Sequence, residues 1–120
     1  VAYDNSKLAN LLLGDELVRR LGPHPRVYSA HPGTITTKLL VDGFGRQGHD
    51  NVLDAAMALT HLATSDDVAA DSGSYFVLDR RERASVDAHD HNVAPRLYEL
   101  CAKWTGVRPL AAAYLQAMGS

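Results

Sequence analysis

The sequence predicts an α/β fold built on a parallel strand–helix–strand unit, and three observations carry that expectation. Residues 26–30 (Arg26, Val27, Tyr28, Ser29, Ala30) form a short β-prone run closed by His31-Pro32-Gly33. Residues 74–78 form a second, after Ser72-Gly73, in which Phe76, Val77 and Leu78 are the unbroken apolar run of a strand buried inside a larger sheet. Between them, residues 51–64 place Val52, Leu53, Ala55, Ala56, Leu59, Leu62 and Ala63 at helical spacing. A strand, a long crossover with a helix and a second strand make a parallel pair, with a right-handed connection expected.

The other elements follow in order. Leu8, Leu11, Leu12, Leu17, Val18 and Leu21 predict a helix over residues 1–21, with Arg19-Arg20 suited to its C-terminal dipole and Gly22-Pro23 as its stop. No capping residue precedes Val1, so the sequence reads as beginning inside an element. Ala2, Ala9 and Gly14 leave small positions where another helix can approach, and the leucines serve core packing or a homodimer face. Gly43-Phe44-Gly45-Arg46-Gln47-Gly48 lacks phosphate-loop spacing, and residues 40–50 read either as a mobile flap over a site or as an inert loop. Asp50 or Asn51 caps the middle helix. Residues 79–90 read as charged and irregular. A helix is expected over 96–105, with Leu97, Leu100, Cys101 and Trp104 on one side and Gly106 at its end. A last amphipathic turn or two then runs from Pro109 through Leu110, Tyr114, Leu115 and Met118.

Composition narrows the function. The chain has 120 residues, 46% of them hydrophobic and 22% charged, with a net charge of −2, values of an ordinary globular segment without the basic excess that nucleic acid demands. No apolar run is long enough to cross a bilayer. One cysteine, Cys101, excludes an internal disulfide and agrees with a reducing, cytoplasmic location.

Two stretches bear on chemistry. Tyr3 and Lys7 stand one helical turn apart on one face. An ammonium near a phenol favours the phenolate, which suits proton exchange with a substrate oxygen; a solvated helix face gives the same spacing. Thr34, Thr36 and Thr37 follow the strand end at His31-Pro32-Gly33, the position where open α/β sheets line their ligand crevice; a polar turn without a ligand is the alternative. His89 and His91 lack a third and fourth ligand at a supporting spacing, so a solvated loop with a cap at Asp90 or Asn92 is preferred and no metal is assigned.

Taken together, Tyr3-Asp4-Asn5-Ser6-Lys7-Leu8-Ala9-Asn10 resembles the Y-x-x-S-K-L-A-N segment of the short-chain dehydrogenase/reductase family, nearest its retinol dehydrogenase and WW-domain oxidoreductase branch. His31-Pro32-Gly33-Thr34-Ile35-Thr36-Thr37-Lys38-Leu39 looks like that branch's H-P-G-x-V-x-T-x-L loop. Leu62-Ala63-Thr64, Ser72-Gly73-Ser74-Tyr75-Phe76 and Ala94-Pro95-Arg96-Leu97-Tyr98-Glu99 match later stretches in order, Tyr98 replacing a tryptophan. The resemblance implies the C-terminal portion of a Rossmann-like, doubly wound parallel sheet, two strands and several helices of one domain spanning 1–120, whose cofactor-binding half is absent.

It further implies hydride transfer between NAD(P), NADP rather than NAD, and a small carbonyl or alcohol. Tyr3 would be the acid/base and Lys7 its helper and ribose ligand. Pro32 and Gly33 would form the wall beside the nicotinamide, the Ile35 backbone would meet the carboxamide, and Thr37 the carboxamide or pyrophosphate. The family's Gly-rich turn and catalytic serine lie upstream of its tyrosine, so the chain alone is expected to be marginally stable and not to bind cofactor. A truncated remnant acting as a binding or oligomerising module is the alternative.

Overall fold

A computed structural model describes residues 1–111. Helix α1 (Ala2–Leu21) leads to strand β1 (Ser29–His31), helix α2 (Val52–Thr64), strands β2 (Tyr75–Val77) and β3 (Arg80–Glu82), and helix α3 (Val93–Thr105). A π-helical turn at Leu39–Gly43 and 3-10 turns at Ala69–Asp71 and Val86–His89 lie in the connections. β1 and β2 pair in parallel, with Ala30 opposite Phe76. Together with the helices, this is a partial Rossmann-like α/β fold.

The sheet has three strands, not two, and is mixed. β3 pairs antiparallel with β2, Arg81 opposite Phe76, after a tight turn in which Leu78 takes a φ of 55°. The charged run containing Arg80, Arg81 and Glu82 reads as irregular in sequence because this strand is exposed along its whole length and shows no apolar alternation. Charged side chains are what an edge strand needs to discourage further pairing.

Packing explains the other boundaries. The core cluster joins Leu62 of α2, Val68 and Phe76 of β2, the last only 2% exposed, with Tyr28 packed against them. The Tyr28 ring meets Phe76 edge-on at 5.9 Å, and its hydroxyl donates to the Val68 carbonyl at 2.7 Å, so a half-buried phenol is both packed and satisfied. Gly14 faces β1: a Cβ there would stand 2.8 Å from Ser29 Oγ. The small position therefore admits a strand rather than a second helix.

Asn51 caps α2, its Oδ1 accepting from the Asp54 N–H at 2.8 Å. α3 begins at Val93, earlier than residue 96, because Asp90 Oδ1 accepts the N–H groups of Asn92 and Val93 and satisfies the first turn. Gly106, in the left-handed region at φ 71°, ends it. Leu100 and Trp104 do not join a packed side; α3 buries Ala94 and Ala102 instead. Leu110 lies outside any helix and donates its N–H to the Tyr98 hydroxyl, while Tyr114, Leu115 and Met118 lie outside the described residues. No helix of the described residues is long and apolar enough to cross a membrane.

Candidate active site

The parallel pair directs the chain from the end of β1 back across the first turns of α1. There Tyr3, Lys7, Asn10 and Gly14 of α1 face Ser29, His31, Pro32 and Gly33, and all line one cavity of about 630 Å³. A second recess of about 230 Å³ shares Tyr3, His31, Pro32 and Gly33 and continues along Ile35, Thr37, Leu39 and Phe44. Each of Tyr3, Lys7, Pro32, Gly33, Ile35 and Thr37 therefore borders one or both of two adjoining spaces, with Tyr3 and the Pro32-Gly33 bend between them. Tyr3 is 48% exposed.

The Tyr3 ring is held from two directions. Lys7 Nζ lies 5.0 Å from its centroid, over the face, and Phe44 meets it edge-on at 5.5 Å with the planes at 67°. Phe44 comes from the glycine-bearing segment, which thus reaches over Tyr3. Sequence reasoning offered a flap but no contact for it, since nothing local relates residue 44 to residue 3.

What holds that segment is a latch at its base. The Thr34 N–H donates to Asp50 Oδ2 at 2.7 Å, and the Thr34 carbonyl accepts from the His49 and Asp50 N–H groups at 2.9 and 3.1 Å. The Gly48 N–H donates to Thr36 Oγ1 at 2.9 Å, while Thr37 Oγ1 accepts the Leu40 N–H at 3.2 Å and starts the π-helical turn. Asp50 thus belongs to the latch and Asn51 to the helix cap. Gly33, at φ 87°, packs so closely that a Cβ would lie 2.9 Å from Asp50 Oδ2, and its N–H donates to His31 Nδ1 at 3.0 Å. His31, read in sequence as a strand end and the first residue of the H-P-G loop but given no role, lines both spaces.

Gly48 is the tightest point: a Cβ there would meet the Thr34 carbonyl oxygen at 2.1 Å and backbone atoms of Ile35 and Thr36 at 2.5 Å. Because those atoms are backbone, none can swing away. Gly48→Ala is expected to destabilise the chain by about 1–3 kcal/mol, measured by chemical denaturation. An unchanged midpoint would mean that the latch is not part of the folded unit.

The histidine pair has a different setting. His89 Nδ1 lies 3.0 Å and His91 Nε2 3.5 Å from the carboxylate of Asp15 on α1, on the far side from Tyr3's end of the helix. Among the described residues, no group of three or more His, Cys, Asp or Glu side chains is arranged to hold a metal ion.

With this geometry in place, similarity to known proteins is informative. The chain is 32% identical to mouse retinol dehydrogenase 14 over 88% of its own length and 35% of that protein's. It is 34% identical to bovine dehydrogenase/reductase SDR family member 13 over 90% of its length and 32% of the relative's. The chain is a short-chain dehydrogenase/reductase homologue. Human retinol dehydrogenase 12 shows the same relation at 28% identity, so this homologue spans about a third of the length of the curated dehydrogenases it matches. No family model matches the chain, and no solved structure does.

Proposed function

We propose that the chain is the C-terminal portion of an NAD(P)-dependent oxidoreductase, with Tyr3 as acid/base toward a carbonyl or alcohol. The observation that carries this reading is that Tyr3, Lys7 and the Pro32-Gly33 bend line one cavity. When bound, a nicotinamide supplies or accepts the hydride. As hydride reaches a carbonyl carbon, negative charge grows on the oxygen, and the Tyr3 hydroxyl donates its proton there. The Lys7 ammonium, over the phenol ring, stabilises the charge left on Tyr3 and is available to a ribose hydroxyl.

The residues fit the nicotinamide end of such a cofactor. Gly33 lets Asp50 pack directly against the bend, where a Cβ would stand 2.9 Å from Oδ2, and this close packing holds Pro32-Gly33 in the cavity wall where a flat ring would lie. Ile35 and Thr37 line the adjoining recess, where a backbone amide of the first and the hydroxyl of the second would serve a carboxamide, or the second a pyrophosphate. β1 is the last strand on its side of the described sheet, where strands of the complete protein would add. NADP is favoured over NAD only by the family resemblance.

The test is nicotinamide oxidation by the complete protein on addition of simple aldehydes and ketones, followed at the reduced cofactor's absorbance. Absence of turnover with an intact cofactor complex would remove the enzymatic reading and leave the binding or oligomerising module. The chain alone is expected to show no measurable cofactor affinity by calorimetric titration, since it contains no Gly-rich phosphate turn. Micromolar affinity would contradict the assignment of the phosphate site to an upstream half.

A further inference from the structure

We infer that His31 is a positioning residue whose neutral imidazole sets the Pro32-Gly33 bend, so that cofactor affinity falls when the ring takes up a proton. The inference rests on the reading of that bend as the wall beside the nicotinamide. His31 Nδ1 accepts the Gly33 N–H at 3.0 Å, and one residue later Asp50 Oδ2 accepts the Thr34 N–H at 2.7 Å. Proline has no N–H, so these are the two amide donors of Pro32-Gly33-Thr34, and both are taken by side chains. The ring works from a fixed base. The His31 backbone lies opposite Val77 of β2, and its carbonyl accepts the Leu78 N–H at 2.9 Å. A side-chain acceptor that reaches the amide two residues on is the geometry of an Asx turn, here with imidazole in place of a carboxamide. Gly33 needs that hold, because glycine leaves a φ of 87° as readily as it enters it.

The bond exists in one protonation state only. A neutral imidazole that accepts at Nδ1 carries its proton on Nε2; a second proton fills Nδ1 and sets two N–H donors against each other at 3.0 Å. The imidazolium must then turn away, and the Gly33 amide loses its acceptor. Asp50 still holds Thr34 from the other side, so the bend loosens while the chain around it stays folded. Affinity is therefore full where the ring is neutral and lost as pH falls through the imidazole range. The other titratable groups bordering the two spaces are Tyr3 and Lys7 of α1, Tyr28 ahead of β1 and Tyr75 of β2. Asp50 stands across Gly33, with His49 Nε2 3.3 Å from its Oδ2. His49 is the second imidazole in this set, and its part is separated by substitution.

In the complete protein, reduced nicotinamide cofactor is titrated by its fluorescence from about pH 8 to about pH 5, across the imidazole range. Affinity is expected to fall about fivefold on acidification, the worth of one hydrogen bond. His31→Asn, whose Oδ1 can accept the same N–H without ionising, should match wild type at the upper end and lack the fall. His31→Ala should show the weaker affinity at both ends, and His49→Gln should keep the wild-type fall. Independently of any cofactor, the nitrogen resonances of histidine-labelled protein should show His31 at the upper pH with its proton on Nε2. The proposal is overturned by a proton on Nδ1 there, by a fall retained in His31→Asn, or by one abolished in His49→Gln. Cofactor bound by wild type with no fall would overturn it and leave the wall reading standing. No cofactor binding by the complete protein at any pH would remove the wall reading and the proposal together.

Discussion

Tyr3→Phe in the complete protein is expected to lower carbonyl reduction by about 10²–10⁴-fold, the contribution of a positioned proton donor, with cofactor affinity essentially unchanged. The substitution removes one oxygen and keeps the ring. The edge-on contact with Phe44 at 5.5 Å and the stack beneath Lys7 at 5.0 Å therefore persist, and the cavity wall keeps its shape. Loss should fall on the maximal rate rather than on cofactor binding, because the phenol proton is needed only as charge develops on the substrate oxygen. Full turnover by the variant would remove Tyr3 from the mechanism.

Arg20→Ala carries the largest expected loss of stability. Glu16 is 1% exposed, and Arg20 Nε donates to its Oε1 at 2.7 Å, while Arg19 reaches its other oxygen at 3.4 Å. Arg20 also bonds Glu99 at 3.0 Å and stacks 4.1 Å from the Tyr98 ring centroid, which joins the end of α1 to α3. Burial opposes the charge on Arg20, but the hydrogen bonds and Coulomb attraction of Glu16 and then Glu99 outweigh it and hold the guanidinium above its ordinary range. Removing it takes the hydrogen-bonding partner from a buried carboxylate, leaves only Arg19 at 3.4 Å to oppose its charge, and releases the joint, at about 3 kcal/mol. Glu16→Gln should cost less, since the amide oxygen can still accept from Arg20 and the guanidinium keeps Glu99 as its counter-charge. Equal midpoints for wild type and Arg20→Ala in urea would show that the network contributes nothing net.

Those two sites differ in how visible they are in sequence. The shared face of Tyr3 and Lys7 is legible from their spacing, and the Pro32-Gly33 turn from the strand end, because helix periodicity and turn chemistry are local, while the roles expected of these residues come from the family resemblance. β2 is similarly legible, since a strand packed on the core through Phe76 carries an apolar run, whereas β1 runs Ser29–His31 rather than 26–30, its two last residues being exposed and carrying no such pattern. The Arg20–Glu16–Glu99 joint is not, because a helix-terminal arginine looks like dipole compensation until α3 is packed against it. β3 is hidden by its exposure, and the dependence on Gly48 arises from a backbone approach that no side-chain pattern encodes. Trp104 misleads in the opposite sense: an aromatic at helical spacing reads as core and stands in solvent.

The central claim is that a phenol on α1 and the bend after β1 bound one catalytic space. A crystal structure of the complete protein with oxidised cofactor and an alcohol tests it most directly. The account predicts the nicotinamide ring against Pro32-Gly33 and the alcohol oxygen within hydrogen-bond reach of the Tyr3 hydroxyl. A ring bound elsewhere, or a Tyr3 hydroxyl sealed from the alcohol by other side chains, would contradict it.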